Sequence, residues 1–75
     1  MFFNNYKKQV NEIVSIIENE HARHKELLHV FIDAAKECTS VDNRRYNYEL
    51  ADEERKLMCL CEKLLDKINE EVLDD

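Results

Sequence analysis

Glu18, Glu20, His21 and His24 place two carboxylates and two imidazoles within about two turns of one helix-periodic stretch, Val10 to Cys38. Groups of these types, so close, can ligate a metal, exchange protons or hydrogen-bond one another. Glu18-x-x-His21 has the local spacing used in carboxylate-bridged di-metal bundles, and a carboxylate from the second half of the chain, such as Glu62, would complete such a site. Those bundles project several carboxylates inward, whereas Glu18 falls toward the flank of the stripe. A zinc site is the other metal chemistry to weigh. Folding the chain back on itself brings His21 near Cys61 and His24 near Met58. Zinc accepts two imidazoles and two thiolates, but Cys59 and Cys61 are two apart and point about 200° from each other on a helix. Only Cys61 then faces inward, and another ligand would have to come from Glu20, Glu62 or a second chain. The reading adopted is a polar core layer of Glu20, His21, His24 and Cys61 that fixes register and pairing, with no metal and no cofactor. If His24 is buried and neutral in that layer, acid should loosen the assembly as the imidazole charges.

The second chemistry-bearing stretch is Asn43-Arg44-Arg45-Tyr46-Asn47-Tyr48. Two guanidinium groups beside two phenols could clamp a phosphate or stack on a base, so Arg44, Arg45, Tyr46 and Tyr48 are candidate ligand-binding residues for a nucleotide-like molecule. The alternative is that the arginines offset local acids while the tyrosines pack on a helix junction. Nucleophilic catalysis has little support: Cys61 reads as an inner packing thiol, and no Ser-His-Asp arrangement is available that so small a chain could shelter from water. The expectation is a non-enzyme.

These residues must be positioned by helices. Tyr6, Val10, Ile13, Ile17, Leu27, Phe31, Ala34 and Cys38 recur at steps of three and four, the spacing of one helical face. Val14, Leu28 and Ala35 widen the stripe on one side, Ile16 and Val30 on the other. At 100° per residue, Ile13 to Ile17 covers roughly 160° and Leu27 to Ile32 roughly 200°, more than the ~100° that one packing partner requires. Leu50, Ala51, Leu57, Met58, Cys61, Leu64, Leu65, Ile68 and Val72 repeat the pattern in the second half. Thr39 to Asn43 is the cluster of turn-formers between them, with Ser40 or Asp42 as N-cap of the second helix. Asn4 or Asn5 can cap the first, with Phe2 and Phe3 folded back as a staple, docked or frayed.

The chain therefore reads as one all-α domain, residues 1–75: helix 1 over about 5–38, a turn at 39–43 and helix 2 over about 44–73, forming an antiparallel two-helix hairpin. Facing residues should have numbers summing to about 82, which sets Val10 against Val72, Val14 against Ile68, Ile17 against Leu65, His24 against Met58 and Phe31 against Ala51. The same rule aligns Lys8 with Asp74, Glu18 with Lys63, Glu26 with Lys56 and Glu37 with Arg45. One pair fails, since Leu28 meets Glu54. A helix of about 33 residues is roughly 50 Å long, and chains this small seldom gain more than ~3–5 kcal/mol from one core. The surplus apolar width predicts dimerisation into a four-helix bundle. Ile16, Ile17, Leu27, Val30, Phe31, Ile32 and Leu60 are the expected interface residues, with Leu73 and the aromatic start as further contact groups.

Composition narrows the function. The 75 residues include no Gly and no Pro, which excludes Gly-rich phosphate loops and fits long helices. The net charge of −6, its acid concentrated in the second half, disfavours nucleic acid as a partner and suits a basic protein. No apolar run approaches ~18 residues, so no membrane partner is expected. The start lacks the pattern of a secretory signal, and the cysteines are three, an odd number. Together these predict reduced thiols and a cytoplasmic location. The resulting expectation is a small helical adaptor or inhibitor that associates with itself and with another protein. Sequestration of a nucleotide-like ligand and metal binding by the bundle are the alternatives.

Overall fold

The computed structural model describes residues 2–70, with side chains over 5–70. Two helices, α1 (Phe2–Glu37) and α2 (Val41–Ile68), pack against each other as a helical hairpin. The molecule is a rod of 60 × 16 × 11 Å.

α1 begins at Phe2, ahead of the expected start near residue 5, so Asn4 and Asn5 lie inside the helix rather than capping it. Without Gly or Pro, no residue of the opening segment breaks a helix, and the periodic stretch propagates backward through it. The expected staple of Phe2 and Phe3 concerns side chains outside the described residues. At the other end, the connection is shorter than the expected turn at 39–43. The Cys38 amide is shared between the carbonyls of Ala34 (3.1 Å) and Ala35 (3.2 Å), and the Arg44 guanidinium donates to the Cys38 carbonyl at 2.9 Å. These bonds end α1 without a glycine cap, and no described residue adopts positive φ. Ser40 is extended, and its hydroxyl accepts the Asn43 amide at 3.4 Å as the N-cap of α2. Asp42 then falls in the first turn, where the helix dipole favours acid. α2 therefore starts at Val41 rather than near 44, because Ser40 caps it one step after the bend.

Val10, Ile17, Leu28, Ala35 and Ala51 are buried. Four of these lie on one line of α1, within roughly 20° of each other at 100° per residue. Ala35, near the bend, and Ala51, about three turns into α2, are small enough to let the helix backbones approach. No large side chain among the described residues is fully buried, and none of the buried ones is polar. Leu27, Phe31, Met58, Leu65 and Ile68 remain half-buried.

His24 pairs with Glu54 and His21 with Glu62, which brackets the expected antiparallel register within about one turn. Among the described residues, three of the four expected cross-helix ion pairs do not form. Lys56 pairs with Glu53 and Arg45 with Asp42, each on its own helix at i,i+3, instead of with Glu26 and Glu37, and no ion pair joins Glu18 to Lys63. A local pair needs no second element to be brought into reach, so long exposed side chains settle there first. The pairings Val10–Val72 and Lys8–Asp74 fall outside the described residues.

Candidate interaction face

The buried line of α1 divides its remaining apolar residues between two sides. Ile13, Ile16, Leu27, Phe31 and Ala34 lie on one side by the 100° rotation, and Val14 and Ile32 on the other. The corresponding side of α2 carries Tyr46, Leu57, Leu60 and Leu64. Ile16, Ile17, Glu20, His24, Leu57, Leu60, Cys61 and Leu64 line one open groove between the helices. The first set is therefore a single face of the hairpin. It is left uncovered: Ile16 is 62 % exposed and Leu60 59 %, and Ile13 and Leu64 are also exposed.

Each expected interface residue can now be placed. Ile16, Val30 and Leu60 are exposed on this face or its rim, and Leu27 and Phe31 lie half-buried on it. Ile17 is buried in the seam of the hairpin itself, so it supports the face from beneath. Ile32 is half-buried on the opposite side, because its rotation about the helix axis differs from that of Ile16 by roughly 160°. Leu73 lies outside the described residues.

The polar break is built differently from the expected layer. His24 meets the Glu54 carboxylate through Nδ1 at 2.5 Å and has the Glu20 carboxylate 3.8 Å from Nε2. Arg23 sits 3.8 Å from the same Glu20. His24 keeps 21 % side-chain exposure and Glu54 14 %. The apolar burial on which the acid-loosening expectation rested is therefore not found, and His24 faces two carboxylates instead. His21 Nε2 lies 3.4 Å from Glu62 without forming an aligned hydrogen bond, although that nitrogen is closed off from solvent. Cys61 is half-buried in the groove wall and free. Glu20, His24 and Cys61 thus line one open groove, with Glu54 bonded to His24, and His21 turns from them to Glu62.

The metal geometries follow the same rotation. Glu18 is exposed, Cys59 is exposed, and the two nitrogens of His24 face different carboxylates. Among the described residues no three His, Cys, Asp or Glu groups converge as ligands.

The Arg–Tyr segment is not assembled as a clamp. Arg44 is taken up by the Cys38 carbonyl and Arg45 by Asp42 Oδ1 at 2.9 Å. Tyr46 and Tyr48 are exposed and roughly 160° apart around α2. Successive residues on a helix diverge, which the turn expected at 39–43 would have avoided had it extended to this stretch.

Glu54 is the site residue that the sequence reading missed. Its signal was the failed pairing with Leu28: a register slip of about one turn relieves that clash by bringing the carboxylate to His24, while Leu28 is buried. No described helix is long and apolar enough to cross a membrane. Comparison with protein-family models, with curated proteins and with solved structures finds no match to the chain.

Proposed function

We propose that this chain is a non-enzymatic interaction protein that stacks two hairpins into a four-helix bundle and, in that form, binds another protein and alters its activity or assembly. The observation that carries the reading is the one-sided apolar face of Ile13, Ile16, Leu57, Leu60 and Leu64, open along the rod. The surface area supports self-association. A compact 9.0 kDa monomer would expose about 4,850 Å², whereas this chain exposes 6206 Å². The difference, roughly 1,350 Å², exceeds the ~800 Å² per partner of a standard stable interface. The net charge of −6 suits a basic protein partner and opposes nucleic acid. The three free cysteines fit a reducing compartment such as the cytoplasm. No catalysis, cofactor or metal enters this reading.

Light scattering coupled to size exclusion tests it. The expected mass is twice the 9.0 kDa of the chain, and Leu60→Glu should return it to one chain mass with helicity retained, since Leu60 is exposed in the hairpin. A wild-type chain that stays monomeric at high concentration would overturn the proposal.

A further inference from the structure

The geometry points to one arrangement of the two copies, with α1 antiparallel to α1 of the second copy about a two-fold axis level with position 22. This rests on the self-association proposed above and adds its register. Along the stripe of α1, Ile13 and Phe31 are equidistant from position 22, and so are Ile17 and Leu27, and Glu20 and His24. The symmetry continues outward to Tyr6 and Cys38. Any seam repeating at three and four has many such centres. Only this one lays the polar break on itself, so that Glu20 of each copy meets His24 of the other.

The structure leaves those groups ready for it. His24 uses Nδ1 for Glu54, and its Nε2 side borders the open groove with Glu20. The other two-fold stacking sets α1 on α2 of the second copy at equal heights. Leu60 and Glu20 line the same groove, so that arrangement sets a carboxylate against a leucine and takes its charge out of water into an apolar contact, which is costly. The charges on α2 agree with the first arrangement. An axis level with position 22 passes between Leu57 and Leu60, sets these leucines against each other, and brings Lys63 and Lys67 alongside Glu53 and Glu49 of the second copy.

A cysteine at position 23 tests the register. Arg23 is exposed on the rim of the face beside Glu20, so Arg23→Cys leaves the hairpin intact, as circular dichroism should verify. In the proposed arrangement the two copies of position 23 straddle the axis. Mild oxidation should then link 23 to 23 at about tenfold or more the yield obtained in urea. In the alternative stacking position 23 lies against the Leu60 side of α2 of the second copy, and the two copies of position 23 are too far apart to link. A dimer that forms no 23–23 link overturns the register and leaves self-association standing. A monomer by light scattering overturns both.

Discussion

At the scale of single residues, His24 and Glu54 are the pair to test. Both side chains are less than a quarter exposed, and the imidazole Nδ1 bonds the carboxylate across the hairpin. Glu54→Ala removes the acceptor and leaves a half-buried donor unmatched, which should lower unfolding stability by about 1–2 kcal/mol in urea denaturation. Replacing both groups with leucine should cost less than that single change, because the apolar pair needs no partner and its neighbours are already leucines. Arg44 gives a second prediction. Its guanidinium bonds the Cys38 carbonyl at the end of α1. Arg44→Ala should therefore destabilise by about 0.5–1.5 kcal/mol, and adding nucleotide should shift the melting temperature of neither protein.

At the scale of the elements, the hairpin depends on a bend made without glycine. Ser40 caps α2 through a bond to the Asn43 amide that is long, at 3.4 Å. Ser40→Ala should thus cost about 0.5–1 kcal/mol, the lower part of the range for such caps, read from the denaturant midpoint. Ala51 makes the complementary prediction. It is buried on α2, and Ala51→Leu should destabilise by about 1–3 kcal/mol by forcing the helices apart. The helices themselves were legible in the chain: stripes of Val10, Ile17 and Leu28, and of Met58, Leu65 and Ile68, repeat at helical spacing, and Ser40 was already a capping residue by type. Their ends were not. The opening residues contain nothing that forbids a helix, and nothing in a one-dimensional pattern shows where propagation stops.

At the scale of the whole molecule, a rod 60 Å long and 11 Å thin has too little interior for its apolar content. Beyond Val10, Ile17 and Leu28, the large apolar side chains among the described residues are half-buried or exposed, and a second layer of helices is the simplest cover. The proposed dimer has a thermodynamic signature: the melting temperature should rise with protein concentration in wild type, as mass action requires, and lose that dependence in Leu60→Glu. Calorimetry over a hundredfold concentration range checks this. The register proposed for the dimer adds that Glu20→Ala should weaken association while leaving the monomer folded, since Glu20 is exposed in the hairpin.

The sequence by itself determined that this chain makes two long helices, where they turn back, and that their apolar stripes are too wide for one another. Periodicity, breakers and caps are properties of neighbouring residues, so they can be read without coordinates. The tertiary structure alone decided that His21 meets Glu62 while His24 borders the open groove, and that Glu54 reaches the His24 imidazole. Those outcomes depend on the rotation and sliding of one helix against another. A shift of a single turn conserves the stripe while exchanging every partner across it, and small residues such as Ala35 and Ala51 settle which shift allows the closest approach.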